Sequence, residues 1–400
     1  MIPASRGTCS RRVASKVLNG HPFSTGWADL LSEPHQTQLE PSPFHQRLPW
    51  WGADLQTLRD TIRSERLPED LSSALTIDLG GADALLARLS LPQQEAPRAL
   101  VVLIPGLGGC ADGPGIRRLA AYLVAAGVAV LRLNMRGAGA GRPLASGTYA
   151  ALCNRDLLPA LQQARQLAIQ LAAGNRSLPL FGVGLSLGGT MLLNAQLEQP
   201  LLDGVACISS PLDLVECADQ FDRPRNRLYR RWVLRRLRQL TLEDPHGVSP
   251  AERALLRGPK RVRSLQAFDA AITAPRWGHE SLAAYYTAAS PLLPLRAAME
   301  TRHALPPILL LHSADDPWVP VAAHLELARQ AQRWRCSWLD TVITARGGHN
   351  GFHSRDHIER LEGGSTVSWA DQQTMAWLKG RLITGARVGC GKQQFPGAGT

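Results

Sequence analysis

The residues best suited to chemistry in this 400-residue chain are Gly184-Leu185-Ser186-Leu187-Gly188-Gly189, directly after the apolar run 178–183. A strand running into a sharp, glycine-flanked turn presents the apical serine as a nucleophile, and the missing side chains at Gly184 and Gly188 let the following helix pack back closely. Residues 190–197 continue as that helix, uninterrupted until Pro200. Its N-terminus brings free N–H groups and the positive end of a dipole beneath the serine. An ordinary tight turn with an incidental serine is the competing reading, and it supplies no partners. A serine nucleophile needs a base, and the base needs an orienting acid. The apolar strand 307–312 ends in Ser313-Ala314-Asp315-Asp316, and Pro317-Trp318-Val319-Pro320 follows. Asp316 is preferred to Asp315 because it directly precedes that x-hydrophobic-hydrophobic-Pro step. The next strand, 337–344, ends in a glycine-rich loop holding His349, the expected base; His353 and His312 are weaker alternatives. The last component is a pair of backbone N–H donors for a developing oxyanion. One is expected from Leu107 in Pro105-Gly106-Leu107-Gly108-Gly109, and the other from Leu187 after the serine.

Those side chains need a rigid frame. Continuous apolar runs at 99–104, 127–133 and 204–209 read as strands buried on both faces, and helical spacing fills 116–126 and 157–171. Strands alternating with helices predict a doubly wound, mostly parallel α/β sheet, with serine, acid and histidine on successive later strands. Residues 211–300 form an insertion far longer than an ordinary strand-to-helix link, and it is expected to be a helical lid. Within it, 226–240 reads as a helix with leucines and Trp232 on one side and arginines over the rest. That pattern has two readings. One is a lid helix packing its apolar face on the core; the other is a surface that meets anionic membrane.

Several further stretches carry a resemblance. Leu48-Pro49-Trp50-Trp51-Gly52-Ala53-Asp54-Leu55-Gln56-Thr57, Asn134-Met135-Arg136-Gly137, and 268–278 followed by Tyr285-Tyr286 and Ser290 resemble motifs of the α/β-hydrolases of the YheT-like, EMB8-type and animal abhydrolase-domain group. The resemblance covers about residues 45–385. It implies an α/β-hydrolase fold with the lid inserted before the acid-bearing strand. It also implies a serine hydrolase acting on carboxylic esters, small-molecule or lipid, through an acyl-serine. Acyl transfer to an alcohol or thiol, and a silent hydrolase-fold binding protein, remain as alternatives. The chain departs from the group at Asp54, Pro105 and Thr190, where His, His and Asn are usual, which weakens any transfer of substrate preference.

Composition sets the outer bounds. A formal net charge of +11 invites nucleic acid or membrane, but no helix-turn-helix pattern, zinc spacing or aromatic RNA-binding motif is present, so no nucleic-acid partner is expected. Gly137-Ala138-Gly139-Ala140-Gly141-Arg142 resembles a dinucleotide loop only superficially, since arginine stands where the third glycine belongs. Seven scattered cysteines suggest free thiols, not a disulfide frame or zinc site; no metal and no cofactor is expected. The expected organisation is a flexible arm (1–44), one hydrolase domain (45–385) containing the lid (211–300), and a flexible tail (386–400). Without a signal-like stretch or a bilayer-length apolar run, a cytoplasmic protein is expected.

Overall fold

The computed structural model describes residues 41–63, 66–172, 177–259, 261–356 and 358–388. Its centre is strand β3 (Leu100–Ile104), buried at every position, as a run of five aliphatic residues in a parallel sheet must be. Even-numbered side chains of β3 join one apolar cluster and odd-numbered ones another, so the period-two alternation feeds two helical layers. Strands β4 (Ala129–Asn134), β5 (Leu180–Leu185), β6 (Gly204–Ile208), β7 (Ile308–Ser313) and β8 (Leu339–Thr344) are parallel to β3. Two strands that the sequence analysis did not anticipate, β1 (Ser73–Asp78) and β2 (Ala84–Ser90), add an antiparallel edge next to β4. The spatial order is β1-β2-β4-β3-β5-β6-β7-β8.

One face is covered by α2 (Pro114–Ala125) and α11 (Trp369–Val388). The other is covered by α3 (Asn154–Gln170), α4 (Leu187–Glu198), α9 (Leu292–Glu300) and α10 (Ala322–Trp334). A short helix, α1 (Ala53–Ile62), precedes the sheet. Between β6 and α9 run α5 (Leu214–Asp222), α6 (Arg227–Leu242), α7 (Pro250–Arg257), a helical stretch over 265–276 whose middle, Asp269–Thr273, is π-helical, and α8 (Leu282–Ala289). These helices hold a satellite apolar cluster of their own that includes Phe221, Val233, Leu234, Leu265 and Phe268. The last helix of the expected lid, α9, instead packs Leu292, Leu295 and Met299 into the sheet's main core.

One expectation changes, and two fall largely outside the described residues. Helix α6 buries Val233, Leu234 and Leu240, while Trp232 is 53% and Leu228 75% exposed, so Trp232 does not lie on the buried face. The arm expected over 1–44 lies outside the described residues up to position 40; beyond it, Ser42 accepts the indole N–H of Trp369 and Phe44 packs edge-on against Phe352. The expected tail likewise begins inside α11, and 389–400 lie outside the described residues.

Candidate active site

The turn between β5 and α4 leaves no room for side chains. A Cβ on Gly184 would lie 2.2 Å from the Gly189 nitrogen, and one on Gly189 2.0 Å from the Ser210 hydroxyl. Gly188 faces a different neighbour from the one expected: its Cβ would strike the Ile104 carbonyl oxygen at 2.4 Å, at the end of β3, not the strand leading to the serine. Ser186 itself sits at φ 53°, ψ −125°, a region that a non-glycine residue occupies only when its surroundings impose it. Its N–H is tied to the Ile208 carbonyl at 2.7 Å.

The structure brings Ser186, His349 and Asp316 together. His349 Nε2 lies 2.9 Å from Ser186 Oγ, and His349 Nδ1 lies 2.8 Å from Asp316 Oδ2. The imidazole is buried and stacks on Trp318, with 4.5 Å between ring centroids. Asp316 Oδ1 accepts the N–H groups of Trp318 at 2.7 Å and Val319 at 3.0 Å. Burial pushes this carboxyl upward, but His349 and the backbone donors outweigh it and hold the acid below its ordinary range. Asp315 points elsewhere: its Oδ1 accepts the Gly348 N–H at 2.9 Å, and burial raises its pKa. It secures the loop that carries His349. His312 is fully buried and stacked on His324 at 3.8 Å, with Nε2 on the Val319 carbonyl, and burial lowers it to about 4. His353 packs beside Asp60 and is lowered to about 3, also by burial. Neither is a partner of Ser186.

Leu187 opens α4, so its N–H has no acceptor one turn back. The oxyanion loop passes close to the serine, since a Cβ on Gly106 would lie 2.9 Å from Ser186 Cβ. The Gly108 and Gly109 amides are already engaged, by Tyr149 and the Gly106 carbonyl, whereas Leu107 N–H has no protein acceptor among the described residues.

Sequence reasoning missed the clamp on the histidine loop. Thr57 Oγ1 accepts His349 N–H at 2.8 Å, and Gln56 pairs with both the N–H and the carbonyl of His353. Ser313 holds the Gly348 carbonyl and Ser209 the Asn350 N–H. Gly348 and Gly351 press on α1 so tightly that a Cβ would meet the carbonyls of Ala53 at 2.5 Å and Gln56 at 2.6 Å. The only available signal was the Gln-Thr pair closing the N-terminal motif. Asp54, one of the departures from the group, meets Arg225 and Tyr229, the latter on α6. Thr190 donates to the Pro211 carbonyl.

Beside the serine opens a mostly apolar cavity of about 110 Å³. Leu107 and Leu187 form one wall, and Phe221, Leu240, Phe268 and Tyr286 of the insertion form another. Gly137 reaches this wall too, and Arg142 of the glycine-rich loop donates to the Glu243 and Leu240 carbonyls at the end of α6. Among the described residues no cluster of three or more His, Cys, Asp or Glu is arranged to hold a metal ion, and no helix is long and apolar enough to cross a membrane. Cys110, Cys153, Cys207, Cys217 and Cys336 are free thiols.

The chain is similar in sequence to several known proteins. Mouse Phospholipase ABHD3 is 27% identical over 260 residues, covering 64% of this chain and 58% of that protein. Medium-chain fatty acid ethyl ester synthase/esterase 2 of Saccharomyces cerevisiae is 27% identical over 289 residues, 66% of this chain and 60% of the yeast protein. The putative esterase YheT of Escherichia coli is 29% identical over 180 residues, 44% and 49% of the two chains. The chain thus spans three-fifths or less of the length of these relatives. The family profile Hydrolase_4, described as serine aminopeptidase S33, matches residues 95–340, from just before β3 into β8. With more than half of its length matched and a mostly parallel eight-stranded sheet, the chain belongs to the α/β-hydrolase family.

Proposed function

We propose that the protein is a serine hydrolase that cleaves carboxylic esters through an acyl-serine intermediate. The observation that carries this reading is the unbroken line from Ser186 Oγ through His349 to Asp316, at 2.9 and 2.8 Å. In it, His349 Nε2 takes the Ser186 proton as Oγ attacks the ester carbonyl. The oxyanion of the tetrahedral intermediate accepts hydrogen bonds from Leu107 and Leu187 N–H. Collapse breaks the C–O bond, and His349 returns the proton to the leaving alcohol. Water, deprotonated by the same imidazole, then attacks the acyl-serine and releases the acid and free Ser186. Asp316 stays ionised, fixing the Nδ1–H tautomer and stabilising the imidazolium.

The apolar lining of the cavity running from Leu107 and Leu187 under the insertion supports an ester with an apolar acyl part, as in a lipid ester. The relatives named as a phospholipase and an ethyl ester synthase/esterase agree with that class, and the second name favours an alcohol as an alternative acceptor in the deacylation step. Helices α5 to α8 act as the lid. The test is hydrolysis of p-nitrophenyl esters of increasing acyl length. Turnover should rise from acetate to medium chains and disappear in Ser186→Ala; equal rates in the variant would refute the assignment.

A second observation concerns α6. Its solvent face carries Leu228 and Trp232 among Arg227, Arg231 and Arg235, which have no acidic partner among the described residues. Asp54 joins α6 to α1; Leu55 on α1, and Leu48 and Trp51 just before it, are also exposed. We infer that this face meets an anionic lipid surface. Flotation with phosphatidylglycerol-containing vesicles should recover the protein, and phosphatidylcholine vesicles or added salt should not. Equal recovery on both lipids would end this reading.

A further inference from the structure

The reaction above depends on which way one peptide bond faces. In a trans peptide the carbonyl of one residue and the N–H of the next point in opposite directions. The direction of Leu107 N–H is therefore the reverse of the direction of the Gly106 carbonyl. That carbonyl is held by two donors, Tyr149 Oη at 3.3 Å and Gly109 N–H at 3.0 Å. Tyr149 Oη also accepts Gly108 N–H at 2.5 Å, so one hydroxyl engages the loop on both sides of Leu107. Gly106, with no side chain, presses on Ser186, where a Cβ would lie 2.9 Å from Ser186 Cβ.

We propose that Tyr149 is the positioning residue of the oxyanion hole, its hydroxyl holding the Gly106–Leu107 peptide with the N–H turned toward Ser186. The inference rests on the serine-hydrolase reading and extends it to a residue outside the Ser-His-Asp line that also lines the cavity. It also gives a task to the Arg136-Gly137 turn, which the proposed reaction leaves unused. Tyr149 N–H is bound to the Arg136 carbonyl at 3.1 Å. The Arg136 guanidinium is locked by Asp156 at 2.7 and 2.8 Å and by Asp83 at 2.6 Å. Gly137 packs so closely on the strand of chain leading to Tyr149 that a Cβ there would lie 2.4 Å from the Gly147 carbonyl oxygen. A buried ion-pair network thus seats the segment from which the phenol reaches the loop. Burial raises the phenol's pKa, so it remains a donor across the working pH range. From the opposite side, Arg236 of α6 approaches the Gly108 carbonyl at 3.4 Å, so the loop is the place where the Arg136 network and the lid meet.

The test is Tyr149→Phe in the full chain, which keeps the ring and removes only the hydroxyl. Rates are normalised to sites titrated by a fluorophosphonate, so that any loss of folded protein is separated from loss of chemistry. Because Gly109 N–H still holds the Gly106 carbonyl, the effect should be smaller than the 10²–10³ seen when a hole donor is removed outright. The expected result is a fall in kcat per titrated site of about tenfold or more, with KM changed by less than about threefold. The inhibition constant of a trifluoromethyl ketone, whose adduct places an oxyanion in the hole, should rise by the same factor, and the His349 limb of the pH profile should stay in place. A kcat per site within twofold of wild type would overturn the proposal. So would a loss confined to the number of titratable sites with the ketone constant unchanged, since that is the mark of a merely structural tyrosine. Failure of the underlying reading has a different signature: the wild-type chain itself would not label.

Discussion

The rim of the sheet and the helices that cover it are built on opposite principles. At the rim, backbone is pressed against backbone: Gly184, Gly188, Gly189, Gly348 and Gly351 each lie where a single Cβ would come within 2.6 Å of another atom. Ser186 is held at positive φ, and the histidine loop is fastened by Gln56, Thr57, Ser209 and Ser313 from remote parts of the chain. The cover over α5 to α8 is held by side-chain packing around Phe221, Val233, Leu234 and Phe268, and it leaves Leu228, Trp232 and several arginines facing solvent. It even keeps an acid, Asp269, without a cation among the described residues: the carboxyl accepts Thr273 and Tyr286 hydroxyls, and burial raises it to about 6. The rim permits one geometry, and the cover reaches it at two points: through Trp318, which stacks on His349 and packs against Phe221, Tyr229 and Trp232, and through Arg236 at the Gly108 carbonyl.

The most severe way to break this contrast is Gly184→Ala. The added methyl cannot be accommodated at 2.2 Å from main chain, and a loss of about 4 kcal/mol or more is expected in urea unfolding, or no folded protein. A drop below about 1 kcal/mol would show that the elbow yields. Next is the pair of neighbouring acids. Asp316→Asn should lower kcat by about 10⁴, because the amide selects the wrong imidazole tautomer. Asp315→Asn, whose side chain meets Gly348 N–H and the Ser313 hydroxyl but not His349, should cost no more than about tenfold. Reversal of that order would move the orienting role to Asp315.

Acidity should separate the two regions, with opposite signs. His312 and His353 have folded pKa values depressed to about 4 and about 3 from an ordinary 6.5. Their contribution is complete above pH 6.5 and is lost as the pH falls toward those values, because the unfolded imidazoles take up protons that the buried ones refuse. Asp269 is raised to about 6 from 3.8, so its contribution is complete below pH 3.8 and is lost as the pH rises through 6. Urea midpoints from pH 4 to 8 should show a steeper acid limb in wild type than in His312→Gln, and a smaller loss above pH 5 in wild type than is seen in Asp269→Asn would contradict the assigned sign. The mildest effect is expected at the cover's outer face. Leu228→Ser should change stability by about 0.5 kcal/mol or less and leave turnover of a soluble ester unchanged, while weakening flotation on anionic vesicles. A turnover loss would show that this face supports the site directly.

The same contrast explains what could be read from the chain. Where close approach demands glycine, the demand is written in the sequence: Gly184 to Gly189 marked the elbow, and Gly347-Gly348 marked the histidine loop. The apolar runs at β3 to β8 announced the sheet, because a strand buried on both faces has few alternatives. Asp316 was separable from Asp315 only through the residues that follow it. The β1–β2 edge escaped because β1 is mostly exposed and carries no clear alternation. Trp232 was assigned to the wrong face because helical periodicity gives the angle between side chains but not which sector meets the core. Gln56, Thr57 and Tyr149 act through hydrogen bonds to residues distant in the chain, which no local pattern encodes. His349 lies beyond the segment matched by the family profile, so its assignment rests on chain order and geometry alone.

The most direct test of the central claim is intact-mass and peptide mapping after reaction with a fluorophosphonate. One adduct on Ser186 is expected in the wild-type chain, strongly slowed in His349→Ala and absent in Ser186→Ala. An adduct at another residue, or labelling that persists in Ser186→Ala, would contradict the account.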